Sequence, residues 1–137
     1  MIVADANVVS ELVLGGRKLK EAEKAFQNDS DWAAPILWRS EFLSILAAYM
    51  RQRNLSASDA WTAHELAEQL FAGREFSVGG EAVLGLVFES KCSSYDCEYV
   101  ALAKELAVPL LTWDRQILRE FPTVAVTPAD FNEGGDR

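Results

Sequence analysis

Two apolar runs that end abruptly in aspartate and pass straight into helical sequence constrain this chain more than any other feature. Met1-Ile2-Val3-Ala4 ends at Asp5, and Val108-Pro109-Leu110-Leu111-Thr112-Trp113 ends at Asp114. A short, fully apolar run followed at once by a helix reads as a buried parallel strand. The carboxyl end of such a strand is where an open α/β sheet presents its functional side chains. Two further acids stand in unusual settings. Asp96 lies at the start of a strongly helical segment in Ser93-Ser94-Tyr95-Asp96, and Glu41 lies near the start of a long amphipathic helix. Four carboxylates gathered at one sheet edge would repel each other unless cations lay between them, and hard oxygen ligands suit Mg²⁺ or Mn²⁺.

The rest of the chain alternates strands and helices. Ile2 to Ala4 reads as a strand, Asn7 to Leu14 as a helix broken by Gly15-Gly16, and Lys18 to Gln27 as a second helix. Trp32 to Ile36 is a short strand. A helix from Leu37 to Arg53 carries Trp38, Phe42, Ile45, Leu46 and Tyr49 on one face and ends at Asn54. Ser56 or Ser58 can cap a helix bearing Trp61, Leu66, Leu70 and Phe71, which Gly73 stops. Glu75 to Val78 is a candidate strand, Glu81 to Lys91 a helix, and Tyr95, Tyr99, Leu102 and Leu106 mark the helix that holds Asp96. Pro109 to Thr112 is the next strand, a short helix follows through Ile117 and Leu118, and Thr123 to Val126 is a last strand. This alternation implies a parallel sheet flanked by helices, within a single domain over residues 1–131 and with a disordered tail over 132–137.

Composition narrows the chemistry. At 137 residues and 50% hydrophobic, the chain has enough apolar material for one core. No apolar run is long enough to span a bilayer and no leader pattern is visible, so a cytoplasmic location is expected. Cys92 and Cys97, the two cysteines, have no histidine at metal-ligand spacing and read as small packing residues. His64 is the single histidine. A two-histidine zinc site is therefore impossible, and a Ser-His-Asp triad would have to use this residue, which sits mid-helix beside Thr62, Glu65 and Glu68. The net charge of −8 argues against holding nucleic acid by bulk electrostatics. Bound divalent cations would reverse the sign locally, and an acidic body suits a basic partner.

Each acid also has a plain structural reading. Asp5 and Asp114 can cap the helices that follow them, Asp96 can close a capping box with Ser93, and Glu41 can sit at the solvated edge of its helix. Capping explains an acid at one junction but not why three junctions all use aspartate. Asn7 adds a neutral oxygen two residues after Asp5, Thr112 places a hydroxyl where it can orient Asp114, and Ser94 can do the same for Asp96. Chemistry that needs neither histidine nor a covalent nucleophile fits this set, and metal-assisted phosphodiester hydrolysis is of that kind.

The segments Ile2-Val3-Ala4-Asp5-Ala6-Asn7-Val8, Ser40-Glu41-Phe42, Ser94-Tyr95-Asp96-Cys97-Glu98-Tyr99-Val100-Ala101-Leu102-Ala103 and Leu110-Leu111-Thr112-Trp113-Asp114-Arg115 resemble a PIN domain. Within that superfamily the chain is similar to the toxin of a VapBC toxin–antitoxin pair. The resemblance implies a three-layer α/β/α fold with a short, mainly parallel central sheet. It implies that Asp5, Glu41, Asp96 and Asp114 hold Mg²⁺ or Mn²⁺ and catalyse endonucleolytic cleavage of RNA, transfer or ribosomal RNA being the common targets. It also implies a cognate antitoxin with a DNA-binding N-terminus and an arm that wraps the toxin, together with a homodimer. One departure is Gln116, where some relatives carry a further acid. Candidate phosphate contacts are Arg17, Lys18, Lys20, Arg39, Arg115 and Arg119, and Trp38 and Trp113 are aromatics able either to stack on bases or to pack.

Alternatives remain at this point. A PIN nuclease could process RNA without an antitoxin, or the chain could be a weakly active PIN-like binding module. A haloacid-type phosphatase would need an acid where Asn7 stands, and a receiver domain would need a lysine that Thr112-Trp113-Asp114 does not offer.

Overall fold

Ile2, Val3 and Ala4 are almost wholly removed from solvent, as a strand covered on both faces must be. They form β1 (Ile2–Ala4) at the centre of the computed structural model, which describes residues 1–135. After β1 come α1 (Ala6–Leu14), α2 (Leu19–Asn28), β2 (Trp32–Pro35), α3 (Trp38–Gln52) and α4 (Ala57–Phe71). Next are β3 (Glu75–Phe76), α5 (Gly80–Phe88), α6 (Ser94–Leu106), β4 (Leu110–Leu111), α7 (Arg115–Glu120), β5 (Ala125–Val126) and α8 (Pro128–Gly135). The strands lie in the order β3-β2-β1-β4-β5, and every neighbouring pair is parallel. In register, Val3 lies opposite Ala33 on β2 and Ala4 opposite Leu111 on β4.

Right-handed crossovers from such an order send the helices between β1 and β3 to one face and those between β3 and β5 to the other, while α8, after the last strand, packs back on α2. The packing agrees: α1 touches α2, α3 and α4, whereas α5 packs on α6, which lies across β1, β2 and β4. The result is the expected three-layer α/β/α arrangement. Helix ends follow from backbone conformation. Gly15 (φ 82°) closes α1, and Asn54 (φ 55°), the residue expected to end α3, adopts the left-handed geometry that asparagine tolerates.

Two expectations change. The face of α4 that meets the core consists of Ala60, Ala63, Ala67 and Phe71, while Trp61 is 72% and Leu66 45% exposed. Small residues let α4 approach its neighbours closely, so the bulkier side chains turn outward. The tail expected to be disordered from residue 132 is instead helical to Gly135, and only residues 136 and 137 of it lie outside the described residues. Asn132 is the reason. It is buried, accepts a hydrogen bond from Asn28 Nδ2 at 3.1 Å, and donates through Nδ2 to the Glu21 carbonyl at 3.1 Å. It thereby ties α8 to α2. Asn132→Ala should cost about 1–2 kcal/mol, because it strands polar groups that the wild type pairs. Urea denaturation would measure the loss.

Candidate functional site

The two halves of the sheet leave β1 in opposite directions, toward β2 on one side and β4 on the other. A crevice must open at the carboxyl ends of the strands where the order reverses. Asp5 follows β1 directly and Asp114 follows β4, so both junctions identified in the sequence meet there. Thr112 joins them. Wholly buried, its Oγ1 donates to Asp5 Oδ2 at 2.8 Å and accepts from the Asp114 amide at 3.0 Å. Asn7 Nδ2 approaches the same hydroxyl at 3.5 Å. Thr112 was expected to orient the Asp114 carboxylate; its hydroxyl instead orients that of Asp5 and meets Asp114 only at the backbone amide.

Capping accounts for these acids unequally. Asp5 precedes α1, yet its side chain makes no well-formed capping hydrogen bond, the Asn7 amide only lying nearby. Asp114 Oδ1 does accept from the Gln116 and Ile117 amides at 2.9 and 3.0 Å, so one oxygen caps α7. At Asp96 the neighbouring hydroxyl is that of Ser93, the N-cap of α6, whose Oγ accepts from the Asp96 backbone amide at 3.1 Å. Ser94, the residue expected to orient Asp96, is exposed. Its position one residue inside the helix points it away from the first-turn amides that an N-cap reaches.

Glu41 comes from the first turn of α3 and completes the group. All four acids line one pocket of about 300 Å³ with Ala6, Asn7, Ser44 and Ile45. Electrostatics report their closeness. Burial pushes the Asp5 carboxyl up to about 6, with Glu41 and Asp96 adding to the rise and the Thr112 hydrogen bond opposing it. Glu41 is raised by burial and by the charges of Asp96 and Glu98, with the nearby Tyr99 hydroxyl opposing the rise, and Asp96 by burial and Asp114, with Ser93 opposing.

Such a set is costly without positive charge, and its donor chemistry suits a hard divalent cation. Among the described residues no three acid, histidine or cysteine side chains are drawn into a ready-made metal cage. The fit rests instead on oxygen donors left without protein partners. Asn7 Oδ1 and Glu41 Oε1 are both buried and unpaired at this pocket. Asp5, Asn7, Glu41, Asp96 and Asp114 therefore supply only oxygen ligands, as Mg²⁺ or Mn²⁺ would require.

The other candidates divide. Arg39 is committed elsewhere, pairing with Glu68 at 2.9 Å and Glu75 at 2.8 Å. Trp38 is wholly buried and packs on Phe42 and Phe71, which removes it from base stacking. Trp113 is partly buried against the core, with Lys18 Nζ 4.9 Å from its ring centroid. Arg17, Lys18, Lys20, Arg115 and Arg119 are exposed. His64 lies on α4 with Nδ1 3.2 Å from Glu68 Oε1 and is not among the pocket-lining residues. Both cysteines are free and buried. The sequence reading missed Tyr99, whose hydroxyl is buried beside Asp5 and Glu41 without a well-formed hydrogen bond. The signal available was its place one helical turn after Asp96, which reads equally as core periodicity.

The sequence matches the PIN domain family over residues 2–122. The chain belongs to the PIN domain family. A curated relative, Ribonuclease VapC3 of Pyrobaculum aerophilum, is 27% identical over 130 residues, covering 93% of this chain and 98% of the relative. The crystal structure of PAE2754 from Pyrobaculum aerophilum superposes with a TM-score of 0.77 at 18% identity, covering 98% of this chain and 96% of that one. A toxin–antitoxin complex from Klebsiella pneumoniae includes a chain that superposes with a TM-score of 0.69 at 18% identity, covering 93% of this chain and 98% of that one. In this PIN domain the four acids thus occupy the switch-point crevice of the shared fold, and no helix among the described residues is long and apolar enough to cross a membrane.

Proposed function

We propose that this PIN domain is a metal-dependent endoribonuclease and the toxin of a VapBC-type pair. The observation that carries the chemistry is the convergence of Asp5, Glu41, Asp96 and Asp114 on one pocket, with two buried oxygen donors unpaired beside them. The pocket lining includes no histidine, cysteine or lysine, so it offers no Ser–His or Cys–His pair and no lysine nucleophile.

In this reading Asp5 is held by Thr112 and Asp114 by the first amides of α7, so two carboxylates are fixed before any ligand arrives. Asp5, Asp96, Glu41 and Asp114 would hold Mg²⁺ or Mn²⁺, and Asn7 can orient a water next to Asp5. The bound cation supplies Lewis acidity toward the phosphate and lowers the pKa of the attacking water. Water attack leaves 5′-phosphate and 3′-hydroxyl ends, with no part for the 2′-hydroxyl. Single-stranded or looped RNA suits an open pocket, and transfer or ribosomal RNA is the proposed substrate. Arg17, Lys18 and Arg115 are exposed cations available to RNA phosphates, whereas the ion pairs of Arg39 leave it a lesser candidate.

The names of the Pyrobaculum and Klebsiella proteins favour the toxin role, as does a body of net charge −8 facing a basic partner. A carboxylate pocket would also attract an antitoxin arginine. A homodimer in the cytoplasm completes the proposal.

The test in cells is expression of the chain with and without the product of its neighbouring gene, followed by mapping of RNA ends. The wild type alone should slow growth and accumulate new ends in transfer or ribosomal RNA, and co-expression should suppress both. Asp96→Asn should do neither. A strict monomer that leaves growth unchanged and binds no neighbouring gene product would overturn the toxin role, while leaving a PIN nuclease of RNA processing.

A further inference from the structure

Two of the four pocket carboxylates accept well-formed hydrogen bonds from the protein, Asp5 from Thr112 and Asp114 from the Gln116 and Ile117 amides, and Asp96 has the Ser93 hydroxyl nearby. Glu41 has the longest side chain of the four and no such anchor, and its Oε1 is buried and unpaired. Beside it stands a second unpaired buried atom, the Tyr99 hydroxyl, on α6 one turn beyond Asp96. The Tyr99 side chain is 1% exposed, and its hydroxyl lies next to Glu41, Asp5 and the Ala6 amide. A position that needed only a ring would be served by phenylalanine, as Phe42 and Phe71 serve the same core. A hydroxyl placed there must find a partner or weaken the fold. The two orphan atoms are complementary, since a phenol donates and a carboxylate accepts.

We infer that Tyr99 is a positioning residue of this pocket, its O–H directing the Glu41 carboxylate into the orientation a divalent cation requires. The inference rests on the metal-dependent reading above and adds a residue to it. Tyr99 acts through Glu41 and touches neither substrate nor cation, in the way that hydrogen-bond partners behind metal ligands set their orientation. Because α6 carries both Asp96 and Tyr99, one rigid helix then presents one acid directly and aims another that arrives from α3. This couples two layers of the fold at the pocket.

The test is Tyr99→Phe in the full chain, read without RNA. Melting curves are recorded in EDTA and across a Mn²⁺ titration, for the wild type, Tyr99→Phe, Glu41→Gln and the double variant. In EDTA, Tyr99→Phe should melt close to the wild type or above it, because the ring stays and an unpaired buried hydroxyl leaves. Its apparent Mn²⁺ affinity should fall by roughly 10–100-fold. The loss should not add to that of Glu41→Gln, since Tyr99 acts on the cation only through the Glu41 carboxylate, which that variant removes. In turnover, kcat should fall with KM for RNA unchanged. If the wild type shifts with Mn²⁺ and Tyr99→Phe shifts equally, the role assigned to Tyr99 is wrong while the metal reading stands. Loss of melting temperature in EDTA with Mn²⁺ affinity retained would make Tyr99 a structural residue and also overturn the inference. A wild type with no Mn²⁺-dependent shift overturns both.

Discussion

Asp5→Asn is expected to reduce RNA cleavage by at least about 10²-fold. The same change should raise the melting temperature of the metal-free protein near neutral pH. The two effects have one cause. Asp5 carries its charge in a desolvated setting beside Glu41 and Asp96, and its folded pKa is pushed up to about 6 from 3.8. An ionised carboxylate there weakens the fold by up to about 3 kcal/mol relative to a neutral one. Asparagine keeps an oxygen for the Thr112 hydroxyl and removes the charge, so a rise of roughly 5–10 °C is expected for a chain of this size. Loss of activity with a gain in stability marks a residue kept for chemistry. At Asp114 the corresponding experiment must separate two roles, because one of its oxygens caps α7. Asp114→Asn preserves the cap and should lose only cleavage, whereas Asp114→Ala should lose about 1 kcal/mol of stability as well.

The second large effect is a linkage between pH, divalent cation and stability. A carboxyl whose folded pKa lies above its unfolded value favours folding fully below the unfolded value. That contribution is lost as pH rises through the folded value. For Asp5 the window runs from 3.8 to about 6, and Glu41 and Asp96 shift in the same direction. In EDTA the wild type should therefore melt lower at pH 7 than at pH 5. Saturating Mn²⁺ should restore stability at pH 7, by about 2.7 kcal/mol at a hundredfold excess over Kd, and should do little at pH 5, where protons compete for the same oxygens. Asp5→Asn should flatten both dependences. Scanning calorimetry at the two pH values, with and without metal, measures all of this. A wild type equally stable at both pH values in EDTA would contradict the burial and crowding assigned to Asp5.

What the sequence revealed follows from where physical constraint concentrates in a chain of this kind. Buried parallel strands leave short apolar runs, and helices must start just after them, so Asp5 and Asp114 could be placed at sheet edges before any coordinates. Glu41 and Asp96 were identified through their helical context, and the fold brought all four to one pocket. Elsewhere the local signal was weak or misleading. Helix α4 buries a face of alanines, and Trp61 drew attention to the opposite side. Helix α8 has polar and glycine-rich sequence, and it is held by tertiary bonds from Asn132 that no local pattern announces. Strands β3, β4 and β5 lie where the sequence placed strands but are only two residues long, so their bounds were not legible. The capping-box spacing already pointed to Ser93, which the structure shows as the N-cap, whereas Ser94, one residue into the helix, is exposed. Tyr99 was hidden by its own periodicity, because an aromatic at a core position is ordinarily there to pack.

The central claim is that these carboxylates cut RNA by metal-assisted attack of water. The most direct measurement incubates the purified chain with single-stranded RNA in Mg²⁺ or Mn²⁺ and in EDTA, and identifies the chemical ends of the products. Cleavage only with divalent cation, leaving 5′-phosphate and 3′-hydroxyl ends and persisting when the ribose beside the cut lacks its 2′-hydroxyl, is the predicted result. Products ending in 2′,3′-cyclic phosphate, or cleavage undiminished in EDTA, would contradict it.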